Sequence, residues 1–282
     1  MADIETLKQT ATQIRRDILR MVHACKSGHP GGSLGCADFF TALYFQVMDH
    51  NPAFQMDGVN EDVFFLSNGH ISPVFYSTLS RSGYFPVSEL ATFRHINSRL
   101  QGHPATHEHL PGVRVASGSL GQGISVACGA ALAKKLNGDK KLVYALMGDG
   151  EIQEGQCWEA FHFAVHHKID NLIVTIDSNG QQIDGSTEEV AGVNATGIEA
   201  KLKAFGWEIL HMNGHDMENI VSTFAAAKRV TGKGKPVFII MKSEMGYPID
   251  FMMGSHKWHG VAPNDAELEK ALAQLPSSLS DY

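Results

Sequence analysis

Apolar residues Ile4, Leu7, Ala11, Ile14, Ile18, Met21 and Cys25 recur at steps of three and four. That spacing places them on one face of a long opening helix over residues 4–25. The run Ser27-Gly28-His29-Pro30-Gly31-Gly32 breaks the pattern, and a second helix is expected from Cys36 to Met48. A short apolar run at 62–66 reads as a buried strand, followed by short helices at 72–82 and 88–95. Residues 98–118 hold five Gly or Pro residues and little periodicity, so they form a long loop. A loop of that length in a compact domain usually carries function. Gly121 to Leu136 is a helix rich in Ala and Gly, suited to close packing. Apolar runs at 142–147 and 172–176, joined by a helix at 153–168, make a βαβ unit. Strands at 207–210 and 237–241 flank a helix at 216–231. Asn264 with Glu267 three residues on is a capping box for a last helix ending near Leu275.

Strands alternating with helices predict an α/β fold, doubly wound, with a mainly parallel sheet and helices on both faces. Residues 1–275 read as one domain and 276–282 as a linker-like tail. Of 282 residues, 43% are hydrophobic, enough to bury a substantial core, and the net charge of −7 offers no basic stripe for nucleic acid. The four cysteines show neither Cys-x-x-Cys nor zinc spacing and read as small buried hydrophobes of a reducing, cytoplasmic compartment. No apolar run reaches the roughly twenty residues of a membrane span, and the start lacks a secretory signal pattern.

Candidate chemistry lies where the βαβ strands end. Gly148-Asp149-Gly150 closes the first strand and Asp177-Ser178-Asn179-Gly180 closes the second. Open parallel sheets bind ligands at such carboxyl ends. A carboxylate and an amide oxygen suit a hard cation such as Mg²⁺, which leaves room for phosphate oxygens. The same triplet also serves as a plain strand-to-helix turn, so it does not settle the matter alone. Fifteen histidines are present, and several stand beside Gly or Pro, as in Gly28-His29-Pro30, Gly69-His70 and Gly102-His103-Pro104. Such turns place a ring poorly for packing and well for ligand contact.

Five further motifs appear in order: Ser27-Gly28-His29-Pro30-Gly31, Ser67-Asn68-Gly69-His70, Gly102-His103-Pro104, Gly118-Ser119-Leu120-Gly121-Gln122-Gly123, and Gly254-Ser255-His256-x-x-His259-Gly260. With the thirty-residue step from Asp149 to Asn179 they resemble transketolase, a thiamine diphosphate enzyme family, from about residue 5 to 265. The resemblance covers only the domain that holds the cofactor's diphosphate. It implies the N-terminal subunit of a split, two-gene transketolase whose partner carries the pyrimidine-binding and C-terminal domains, with two copies of each subunit.

The resemblance carries roles onto particular residues. It implies Mg²⁺ ligation by Asp149, Asn179 and the backbone carbonyl of Gln181. It implies cofactor contacts from His70, Gly118, Ser119, Leu120, Gly150, Asn179 and His256, and catalytic donor-sugar contacts from His29, His103 and His256. Ser119 departs from the family's usual Pro. Glu154 and Glu159 match acids of a carboxylate network at the subunit interface. The implied reaction moves a two-carbon ketol unit from a ketose (phosphate) to an aldose (phosphate), by default in the pentose phosphate pathway. Other readings stay open: a 2-oxo acid dehydrogenase α-chain, a deoxyxylulose phosphate synthase, a non-catalytic cofactor-binding half, or an unrelated Mg²⁺-dependent phosphate enzyme. Nothing in the motifs selects the sugars.

Overall fold

A computed structural model describes residues 3–276 and 279–282. Helix α1 (Ile4–Cys25) starts where the Asp3 side chain accepts from Thr6 N at 2.7 Å, and Lys26 ends it in a left-handed conformation. The Ser27–Gly32 stretch does not only break the helix. Pro30 opens a short helix α2 (Pro30–Gly35), because its fixed φ suits a first turn. Gly31 lets that turn approach Met245 and Trp258, since a Cβ there would lie 2.6–2.7 Å from their atoms. Helix α3 (Ala37–Ala42) continues into a π-helical turn at Leu43–Val47, close to the expected second helix.

Next come β1 (Val63–Leu66), α4 (Ser72–Arg81), a 3-10 turn at Val87–Thr92, and the long loop with one 3-10 turn at Thr106–Glu108. Helix α5 (Gln122–Leu136), β2 (Val143–Gly148), α6 (Gly155–His166) and β3 (Leu172–Ser178) form the expected βαβ unit. A small hairpin, β4 (Gln181–Gln182) and β5 (Gly185–Ser186), leads to α7 (Thr187–Ala191) and α8 (Ala195–Phe205). Periodicity alone assigns no element to this region. A local signal is nevertheless present: Asn194 accepts from Gly197 N as an N-cap, and Ile198 and Leu202 are buried at helical spacing. Strand β6 (Glu208–Asn213), α9 (Met217–Val230), β7 (Val237–Lys242) and α10 (Asp265–Ala273) complete the chain, and the Asn264–Glu267 capping box is present at α10.

The main sheet is parallel, in the order β1-β2-β3-β7-β6. Alternate strand residues feed two cores. Val143, Ala145 and Met147 pack with α5, α6 and α8, while Tyr144 and Leu146 pack with α1, α3, α4 and α9. The handedness of βαβ crossovers explains the division. From β1 through β6 the helices that lead into the next strand, α5, α6 and α8, lie over one face, and the return from β6 to β7 sends α9 over the other, where α4 also packs. The fold is therefore doubly wound, with helices on both faces.

The tail is more firmly held than a linker pattern predicts. Arg16 pairs with Asp281 at 2.7 Å, and Arg20 donates to the Tyr282 carbonyl at 2.7 Å. Ser277 and Ser278 of that tail lie outside the described residues. All four cysteines are free, and no described helix is long and apolar enough to cross a membrane.

Candidate functional site

The register of β2 and β3 sets Gly148 beside Asp177, so the turns after both strands meet. Asp149 accepts from Gly150 N at 2.9 Å and from Gly180 N at 2.6 Å. Asn179 Nδ2 donates to Asp177 Oδ2 at 2.8 Å, and Asn179 Oδ1 accepts from Gln181 N at 2.9 Å. Ser243 Oγ, from just beyond β7, donates to Asp177 Oδ1. Burial and the neighbouring Asp177 push the Asp149 carboxyl up to about 7. Burial likewise raises Asp177. No basic side chain pairs with Asp149 among the described residues. One buried acid without a cationic partner among the described residues, an amide oxygen and the Gln181 backbone make an oxygen-rich set that fits Mg²⁺.

The space above this turn measures about 140 Å³ and is lined by Asn68, His70, Leu120, Asp149, Gly150, Asn179, Gln181 and His259, among others. Enclosing pockets for drug-sized ligands run to roughly 300–1,000 Å³, so this one holds part of such a ligand. Gly150 borders it closely, since a Cβ there would lie 3.2 Å from Gln182 Cβ. Asn68 is 1% exposed, yet its Oδ1 has no hydrogen-bond partner, a buried acceptor awaiting one. A larger open cavity of about 1130 Å³ shares Asp149 and Asn179 but lies toward β6, lined by His211 and His215 and by none of His29, His70, His103 and His259.

The histidines form a wall on the other side. The His29 ring lies 5.2 Å from His70, 5.6 Å from His259 and 6.2 Å from His103, and His70 and His259 are 5.0 Å apart. Burial, then the His259, Arg94 and His103 charges, push His29 down to about 4. Burial holds His70 well below the usual range and lowers His259 and His103 as well. His29 Nδ1 is buried and unpartnered. Neutral imidazoles with a free nitrogen suit hydroxyl groups rather than phosphates.

The structure brings together most of the sequence-expected residues, with one relocation. His256 is exposed at the rim, while His259 enters the wall. The cause is Trp258, buried with Nε1 donating to the Phe251 carbonyl at 3.0 Å, which anchors the turn. Gly260 then sits against His29, where a Cβ would be 3.7 Å from its ring. A signal for His259 exists in the sequence, a second histidine followed by glycine, but the motif alone does not rank it above the first. His103 stands exposed at the lip, and Gly118 lies against it, where a Cβ would meet its ring at 3.2 Å. Leu120 lines the pocket and Ser119 faces outward. Glu154 and Glu159 are both exposed around the start of α6.

A parallel α/β sheet with an acid–amide turn and a histidine wall at its carboxyl edge defines a phosphate-binding cofactor domain of the thiamine diphosphate type. The family model described as transketolase, thiamine diphosphate binding domain, matches residues 6–277, and the chain belongs to that family. It is 35% identical to one subunit of the apulose-4-phosphate transketolase of Actinobacillus succinogenes, over 96% of both chains. A component of the 6-deoxy-6-sulfo-D-fructose transketolase of a Clostridium species is 36% identical, over 95% of this chain and 96% of that one. Among solved structures, transketolase from Campylobacter jejuni superposes with a TM-score of 0.89 at 35% identity, covering 100% of this chain and 44% of that one. The chain thus spans less than half the length of that transketolase.

Proposed function

We propose that this chain is the diphosphate-binding subunit of a thiamine diphosphate- and Mg²⁺-dependent transketolase, completed by a second polypeptide. The observation that carries the reading is the half-pocket: a cation turn and a histidine wall face each other across a space of about 140 Å³. When bound, thiamine diphosphate supplies the nucleophilic carbon that accepts a two-carbon ketol unit from a ketose and yields it to an aldose. Asp149, Asn179 and the Gln181 carbonyl hold the cation. Gly150 and Leu120 border the diphosphate. His29, His103 and His259 orient sugar hydroxyls, and His70 lines the cofactor pocket. His256 closes the rim.

The partner supplies the pyrimidine pocket and docks on α5 and α6, which expose Val126, Leu136 and Phe163 beside Glu154 and Glu159. Two copies of each polypeptide complete the assembly, which works in the cytoplasm on sugars or sugar phosphates. The relatives' names point to apulose-4-phosphate and sulfofructose, and the donor of this chain belongs to that ketose class. Calorimetry tests the reading. Thiamine diphosphate with Mg²⁺ should bind weakly to this chain alone and tightly once the C-terminal partner is added. Absence of binding in both cases overturns it.

A further inference from the structure

Glu151 follows the Gly148-Asp149-Gly150 turn and is only 2% exposed. Its carboxylate meets no basic side chain among the described residues. It accepts instead from three donors on three separate segments. Oε1 takes the Ser67 hydroxyl and Gly121 N, the latter at 2.8 Å, and Oε2 takes Gly148 N at 3.0 Å. A buried carboxylate is costly to keep, and satisfying it with donors from distant segments fixes those segments relative to each other.

Each of the three segments carries one wall of the cofactor pocket. Ser67 follows β1 and precedes Asn68 and His70. Gly148 ends β2 and precedes Asp149. Gly121 caps α5 and follows Leu120. The approach of α5 to β1 is close, because a Cβ on Gly123 would lie 2.7 Å from Ser67 Cα. We propose that Glu151 is a positioning residue that brackets the three pocket walls and preforms the diphosphate cradle without touching the reacting atoms. The inference rests on the proposed function, since the cradle has a purpose only if the diphosphate binds there.

Glu151→Gln breaks the bracket with little change in size. One amide oxygen can still serve Ser67 and Gly121, but the amide NH₂ then confronts Gly148 N–H, and the opposite orientation sacrifices the other two donors. Thiamine diphosphate with Mg²⁺ is titrated by calorimetry into the complex of this chain with its C-terminal partner. The expected result is at least a tenfold rise in cofactor Kd, while kcat at saturating cofactor stays within about threefold. Ser67→Ala removes one strut and should raise Kd about threefold, with the two substitutions less than additive together. It also serves as the test if Glu151→Gln fails to fold. Unchanged Kd in the folded variants overturns the bracket but leaves the proposed function standing. A parallel fall in kcat at saturation also overturns it, since Glu151 would then act in the reaction itself. A wild-type complex that binds no cofactor overturns both.

Discussion

The two sides of the pocket, the acid turn and the histidine wall, are opposites built by one force. Burial disfavours charge in both. At the turn it raises Asp149 to about 7, and at the wall it lowers His29 to about 4. At the turn no basic side chain pairs with Asp149 among the described residues and His215 relieves Asp177 only in part, so the proposed metal cation would restore the ionised form. The wall has Arg94 near His29 and His103, which lowers both further and keeps the rings neutral. One side thus asks for a cation carrying phosphate oxygens, and the other for hydroxyls. A phosphorylated cofactor meeting a polyhydroxylated sugar satisfies both.

Removing the acid breaks the comparison most severely. Second-layer partners of metal ligands typically cost about 10–100-fold in affinity when lost, and a direct ligand costs no less. Asp149→Ala should weaken Mg²⁺-dependent binding of thiamine diphosphate to the partnered complex by at least about a hundredfold. Activity should not recover at millimolar Mg²⁺. Retention of tight, Mg²⁺-dependent binding in calorimetry would move the cation site away from this turn.

The turn is legible in the sequence because its residues are local: a strand, a glycine-flanked acid, and an Asn thirty positions on. The sheet and both faces of helices follow from periodicity in the same way. What the sequence obscures depends on tertiary contact. Pro30 and Gly31 read as a breaker, yet they begin a helix because Met245 and Trp258 pack onto it. The choice between His256 and His259 rests on Trp258, whose burial no spacing rule reveals. Glu151 carries no signal in the motifs, because its donors come from segments up to 84 residues away.

The histidine wall is sharpened by contrasting those two histidines. General acid–base groups contribute about 10²–10⁴-fold to rate, and a misplaced substrate costs about 10²-fold. His259→Ala should therefore lower kcat/KM for the ketose donor by about a hundredfold. His256→Ala, at the exposed rim, should lower it less than about fivefold. Steady-state kinetics of the partnered enzyme separate them. Equal losses would mean that the 256–259 turn presents both rings to the sugar.

The smallest effect tests the neutrality of the wall through stability. In the unfolded chain His29 takes up its proton near the ordinary value of about 6.5, whereas the folded chain resists until about 4. Between those values the unfolded state binds more protons, so stability rises with pH. The contribution is fully present above about 6.5 and is lost as pH falls toward 4. Since His29 is part-exposed, its share should be roughly 1–2 kcal/mol across that window. Urea unfolding of the cofactor-free chain at pH 7 and pH 4.5 measures the whole decline, and His29→Asn should make it shallower by about that amount. An unaltered slope in His29→Asn would show that this ring takes up its proton as readily in the folded chain as in the unfolded one, and so is charged below about 6.5. The wall would then carry positive charge and favour an anionic group of the substrate, and the contrast with the acid turn would become one of opposite charges rather than of charge against neutrality.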